Sequence, residues 1–219
     1  MNKVLIILLL LTVSVGVMYA QVRFGGRAGL NLANVGGDND MEDVENRIGF
    51  HLGVMAQHTL MPNIIVQPEL IYTNKGYTWE DTDTEDGITI KMESTVKLDY
   101  IELPLLFKYD MPMNNMSLQP YLGPSLGFLM KAEVEAEASA NGISVSDTED
   151  IKDEISSIDL GLNLGVDAIV GKNIMVGLRY NLGLINLDDS KDEDDNSKSE
   201  DEDPTYFNRA IMLNLGFLF

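Results

Sequence analysis

The chain has 219 residues, enough for one domain of ordinary size, and its lack of cysteine excludes disulfide staples and a lipoprotein attachment site. Lys and Arg number 15 against 35 Asp and Glu, a formal net charge of −20. Such an excess of acid argues against nucleic-acid binding and against docking on an anionic membrane surface.

The first twenty residues stand apart. Lys3 gives a short positive start, residues 4–13 are an apolar run, and small or apolar residues lead to Tyr19-Ala20 before Gln21. The run is short of the ~20 residues that a spanning helix needs. The pattern predicts a secretory signal peptide over 1–20, cut after Ala20, and an exported domain over 21–219. Met18 is bulkier than the residue usual three places before such a cut. Beyond Gln21 no stretch approaches the ~18 consecutive apolar residues of a membrane helix.

The exported part shows period-two alternation instead, the mark of a strand with different surroundings on its two faces. Residues 23–33 set Phe24, Gly26, Ala28, Leu30 and Leu32 against Arg23, Gly25, Arg27, Gly29 and Asn31. After a polar loop over 35–47, residues 48–60 form a second strand, and Met61-Pro62-Asn63 a tight turn. A third strand runs from Ile64 to about Trp79, with Gln67, Glu69 and Thr73 on its polar face, and residues 80–87 are read as acidic loop. A fourth spans 88–109, where Ile101, Leu103, Leu105, Phe107 and Tyr109 oppose Tyr100, Glu102, Pro104, Leu106 and Lys108. Asp110 to Asn115 turns into a fifth strand from Met116 through Phe128. The polar segment 133–155 leaves helix or extended hairpin open. The sixth strand, 157–170, carries Asp159 and Asp167 on its polar face, and Gly171-Lys172-Asn173 turns the chain. The seventh, 174–187, carries Arg179 there, an acidic run fills 188–203, and residues 204–219 close the chain as an eighth strand.

Eight strands with alternating short turns and long acidic connections predict an all-β fold. It is an eight-stranded antiparallel up-and-down transmembrane β-barrel, termini inside the cell envelope and long acidic loops outside. The polar faces are too rich in glycine for a solvated exterior and suit a narrow interior. A soluble barrel would need the faces reversed. The inward charges, Arg23, Arg27, Glu69, Glu102, Lys108, Asp159, Asp167 and Arg179, include both signs. An eight-stranded barrel is just wide enough for side chains to fill, so these predict a lumen plugged by ion pairs. Pro68, Pro104 and Pro120 fall near the short-turn rim of neighbouring strands, where bulges absorb a missing donor; Pro124 lies deeper, with no account from spacing.

Three segments carry a family likeness: Tyr100-Ile-Glu-Leu-Pro-Leu-Leu-Phe-Lys-Tyr109, Pro120-Tyr-Leu-Gly-Pro-Ser-Leu-Gly-Phe128 and Gly177-Leu-Arg-Tyr-Asn-Leu-Gly-Leu184. With Gln67-Pro-Glu-Leu-Ile-Tyr72 and the last strand, they resemble the PorT-type outer-membrane β-barrels common in Bacteroidetes. The resemblance implies the fold and an outer-membrane location in a Gram-negative cell. It associates the chain only loosely with type IX secretion, and it brings no catalytic residues.

Candidate chemistry is sparse. His51 faces the lumen and His58 the lipid side; a hydrolase would need a serine and a carboxylate in reach of one of them, and no such constellation is visible, so both are read as structural. The run 188–203 holds ten acids and two lysines. Asp192, Asp194 and Asp195 are its weak candidates for a divalent cation, but a solvated loop suits the composition better. Trp79, Tyr72, Tyr77, Tyr109, Tyr180 and Phe219 are read as interfacial aromatics. Leu215, Gly216, Phe217 and Phe219 resemble the C-terminal signal by which the barrel-assembly machinery recognises its clients. The expectation is a non-enzymatic outer-membrane barrel without cofactor, its partners membrane lipid, the assembly machinery and a protein met through the acidic loops. The alternatives are an accessory of a secretion machine and, less favoured, a barrel hydrolase.

Overall fold

Alternating side chains extend the backbone, and ten segments pair as antiparallel strands. The computed structural model describes residues 22–37, 44–85, 88–140, 143–187 and 205–219. The expected signal peptide and the acidic run 188–203, with Asp192, Asp194 and Asp195, lie outside the described residues. The strands are β1 (Val22–Gly37), β2 (Val44–Met61), β3 (Ile64–Glu85), β4 (Ile88–Tyr109), β5 (Met111–Met113), β6 (Met116–Ala140), β7 (Ile143–Asp150), β8 (Ile158–Val170), β9 (Ile174–Gly183) and β10 (Tyr206–Leu218).

Eight of them close a ring. β1, β2, β3, β4, β6, β8, β9 and β10 pair in chain order, and β1 with β10 completes the circle, Ala28 opposite Leu215 and Leu32 opposite Ile211. The fold is therefore an all-β, eight-stranded, up-and-down barrel. β5 is a short stub inside one tight turn, and β7 pairs outside the ring on the long end of β6.

The faces are inverted relative to a soluble barrel. Leu30, Leu52, Leu164 and Leu215 are 58–61 % exposed, while Arg27, Asn31, Asp167 and Arg179 are at most 2 % exposed. Outward apolar bands of this kind belong in hydrocarbon, and only a closed sheet leaves no unpaired edge there. At the short-turn end the interior is capped by a cluster of Met55, Ile169, Met175 and Leu218. At the opposite end Val35, Val96, Leu98, Leu129 and Leu187 cluster beside Tyr100. Ile151 and Ile155, in the return from β7, pack against that cluster.

The strands run further than their alternation suggested. Residues 80–85, read as acidic loop, continue β3, paired with β4 from Glu80 opposite Glu93 to Glu85 opposite Ile88. Segment 133–155 is mostly extended hairpin, Glu133 opposite Asp150 through Ala140 opposite Ile143. β1 and β2 reach into the expected loop 35–47, whereas β9 stops at Gly183 rather than Leu187. Two bulges explain why periodicity failed at the outer ends. Asp99 pairs with Lys131 and Tyr100 with Leu129, leaving Met130 as an extra residue, so the buried set steps from Leu129 to Ala132. A second register shift separates Asn46 and His51 of β2.

Pro68, Pro104 and Pro124 fall at ladder lapses. β3 and β4 lose pairing between Pro68/Leu105 and Ile71/Glu102, and β4 and β6 lose it between Pro104/Ser125 and Phe107/Leu122. The second gap contains Pro124, whose missing donor therefore breaks no β4 bond.

Candidate functional site in the barrel lumen

Parity carries polar side chains from every ring strand into one narrow space, where they meet in two layers. In the layer nearer the short turns, Glu69 of β3 is the hub. It pairs with Arg27 of β1, accepts a hydrogen bond from Arg179 Nη2 of β9 at 2.7 Å, and accepts another from Gln67. Arg27 also faces Asp167 of β8 at 3.7 Å, and Lys108 Nζ of β4 meets the other oxygen of Asp167 at 2.5 Å. Tyr121 of β6 lies under this layer: Lys108 and Arg179 sit 5.1 and 5.6 Å from its ring centre, and Arg179 Nε donates to its hydroxyl at 3.3 Å. Three cations thus surround two carboxylates.

The second layer reverses the ratio. Lys75 of β3 stands between Glu102 of β4 at 2.5 Å and Asp159 of β8 at 3.2 Å, and donates to Asn181 at 2.7 Å. Asn208 of β10 donates to Asp159 at 2.9 Å and to the Tyr100 hydroxyl at 3.3 Å. One cation is shared by two carboxylates, so the two layers together carry four charges of each sign. Ions this far from water are tolerable only when paired and hydrogen-bonded, and each layer supplies both.

Of the eight charges expected inside, seven belong to these layers. Arg23 does not. It stands second in β1, opposite Gln57 at the short-turn rim, half-buried, and its guanidinium donates to the backbone carbonyl of Lys172. The strand begins too near the rim for that side chain to reach the lumen. Lys75 was missed, although it follows Glu69 and Thr73 on the same parity. The asparagines of the polar faces matter too. Asn31 Oδ1 accepts from His51 Nδ1 at 2.7 Å, its amide nitrogen donates to Thr73 at 2.9 Å, and Asn181 donates to Asn163 at 3.1 Å.

The remaining expectations sort by position. His51 is buried in this asparagine cluster, and among the described residues no serine or carboxylate bonds it. Among the described residues no group of His, Cys, Asp or Glu is placed to hold a metal ion. Tyr77 is not an interfacial aromatic. It packs on the apolar cluster at the outer mouth, because it continues the inward parity of Glu69, Thr73 and Lys75 along β3, opposite Val96 of β4. Leu215, Phe217 and Phe219 point outward and Gly216 inward; Phe219 donates its N–H to Phe24 O at 2.8 Å, and its ring meets Phe217 edge-on at 5.4 Å.

A family model described as "Outer membrane protein beta-barrel domain" matches residues 16–189, most of the chain. The chain belongs to that family. Its members' location and the inverted faces agree: this is an outer-membrane β-barrel protein of a Gram-negative cell envelope. Solved structures similar to it include Neisserial surface protein A, 16 % identical over 90 % of this chain and 97 % of that one, TM-score 0.46. Ail, the attachment invasion locus protein of Yersinia pestis, is 16 % identical over 91 % and 99 %, TM-score 0.43. A major outer membrane protein of Thermus thermophilus is 17 % identical over 90 % and 99 %, TM-score 0.42. No curated protein matches the sequence.

Proposed function

We propose that this protein is a non-enzymatic outer-membrane barrel whose lumen is plugged and whose work is interaction at the cell surface. The observation that carries the reading is the division of the molecule. Inside, two layers of buried ions that balance each other fill the ring; outside, β3, β4 and β6 run on past the apolar band and present acidic, exposed strands. A lumen packed with ion pairs has no evident path for solute, and a hydrolase would need a reactive constellation near the outer rim. The narrower likeness to PorT-type barrels supports the same architecture. Export through residues 1–20 and insertion through Leu215, Gly216, Phe217 and Phe219 belong to this reading, as does a protein partner met through the outer strands and the run 188–203.

Two measurements test it. Purified protein in planar bilayers should give no steady conductance; stable ion-selective openings would overturn the plugged lumen. Cross-linking on intact cells should capture a surface partner that is lost when the outer strands are shortened to the rim. Equal capture by the shortened barrel would sink the surface role, and recovery of secretion-machine components from the periplasmic side would favour the assembly-machine alternative.

A further inference from the structure

Above the ring, four strand segments make a free-standing sheet. Residues 80–85 of β3 pair with β4, the outer part of β4 pairs with β6 from Ile90 opposite Ala140 to Lys97 opposite Glu133, and β6 pairs with β7. Among the described residues β7 pairs with β6 alone. Every residue of β7 is exposed. In an antiparallel strand every second residue turns its N–H and C=O away from its one neighbour, so β7 offers a row of backbone donors and acceptors.

The register also shows what would suit that edge. Cross-strand partners share a face, which places Ile143 beside Ala140 and Ile90, and Val145 beside Ala138 and Met92. Ile143 and Val145 are 72 % and 68 % exposed, unusually bare for aliphatic side chains on a soluble surface. Lower on the same face of β7 stand Asp147 and Glu149, and across the sheet on β3 stand Asp81 and Asp83. β7 carries no basic residue. The face therefore has an apolar centre bounded by acid on both edges. Its own run 188–203, with ten acids and two lysines, is of the wrong charge to cover it, and a second copy brings the same acids.

We propose that β7 is a docking edge for an extended cationic polypeptide, which adds as a further strand. Its apolar residues cover Ile143 and Val145, and its basic residues, two positions apart on the same face, meet Asp147 and Glu149. Backbone pairing supplies affinity and the alternate side chains supply selectivity. The proposal rests on the surface-interaction reading and names the element and the chemistry that would serve it.

The test uses the full-length barrel in lipid nanodiscs and a capped, fluorescent octapeptide in which threonines alternate with two lysines and then two valines. Binding is read by anisotropy, and protection of the β7 amides by hydrogen exchange. The peptide should bind, slow exchange in β7, and weaken as salt rises. Two N-methylated versions, blocked on alternate residues, decide between strand pairing and diffuse attraction: one set removes binding and the other leaves it within about twofold. The glutamate version should not bind, and the double variant Asp147→Lys/Glu149→Lys, outside the membrane and the ring, should weaken the lysine peptide at least ~10-fold. Equal binding by both N-methylated peptides, or no protection of β7, overturns the edge. If the edge fails while surface capture still depends on the outer strands, the interaction reading stands without it; if that capture fails too, the broader reading has failed.

Discussion

Replacing Glu69 with methionine removes the hub of the larger ion layer while keeping the volume close. Arg179 then loses its carboxylate partner at 2.7 Å, and Gln67 loses an acceptor. Arg27 loses its nearest carboxylate but still has Asp167 at 3.7 Å. Stranding one charge of a buried pair costs about 3–5 kcal/mol. The partial rescue of Arg27 means that the two guanidiniums do not double that figure, so Glu69→Met is expected to lose about 3–5 kcal/mol. Urea unfolding of the barrel in lipid vesicles, followed by tryptophan fluorescence from Trp79 and by the heat-modifiable gel band, measures it. With a urea slope of about 1–3 kcal/mol/M, the midpoint should fall by at least ~1 M. Glu69→Met/Arg179→Met removes both charges of the shorter pair and should recover most of the loss, to within about 1–2 kcal/mol of the parent. A single variant within about 1 kcal/mol of the parent, or a double variant no better than the single, would refute the claim that Glu69 neutralises the lumen.

Deleting Phe219 removes the exposed ring that meets Phe217 and the N–H that bonds Phe24; the heat-modifiable fraction recovered from membranes should fall severalfold, and undiminished insertion would count against an assembly signal at the C-terminus. Gly76 has a φ of +124°, in a region that side chains disfavour, and a Cβ there would run into the carbonyl of Val96. Gly76→Ala should cost about 1–3 kcal/mol in the same urea assay, and a neutral result would show that the outer part of β3 is slack. On the outer sheet, the Lys97 ammonium hydrogen-bonded to Glu135 holds that carboxyl below its ordinary value. A depressed folded pKa means that the pairing is present above the unfolded value and is lost as pH falls through the folded one. Carbon-detected NMR should find Glu135 titrating low in the parent and in the ordinary carboxylate range in Lys97→Met; an unchanged titration would show that the pair is not formed in solution.

How much of this could be read from residue order depends on where alternation holds. Inside the apolar band it is strict, and face assignments there transfer directly: Arg27, Glu69, Glu102, Lys108, Asp159, Asp167 and Arg179 all lie within the ring. Lys75 obeys the same parity and was lost because apolar markers opposite it end at Tyr72. At the outer end the pattern breaks for physical causes. Met130 is an inserted residue and flips the faces beyond it, so Ala132 is buried and Lys131 exposed. Acidic residues in 80–85 favour loop by composition, yet β4 already holds the partner positions, and tertiary pairing overrides propensity. Which carboxylate meets which cation was not legible, because it depends on ring closure bringing β1 and β3 against β8 and β9.

The charge of the chain gains meaning from that closure. Beyond Lys3, 14 basic residues face 35 acidic ones, and the lumen takes four of each. Among the described residues the ring interior is therefore neutral, and their excess of acid falls outside it. This is what buried ions require, since an uncompensated charge in the lumen would cost several kcal/mol whereas one in water costs almost nothing. Neutrality does not hold layer by layer: one layer has an extra cation and the other an extra carboxylate. The two are tied by their closeness inside one narrow ring, so exchanging Lys75 for methionine should destabilise more than its own two contacts suggest. It would leave Glu102 and Asp159 facing each other and remove the positive charge that, among the described residues, stands alone in that layer. An added cation nearby, such as Asn181→Lys, from whose amide Lys75 is now 2.7 Å away, should restore stability in the Lys75→Met background and destabilise the parent. If Asn181→Lys were equally harmful in both backgrounds, the lumen would be balanced by contact geometry alone and not by net charge.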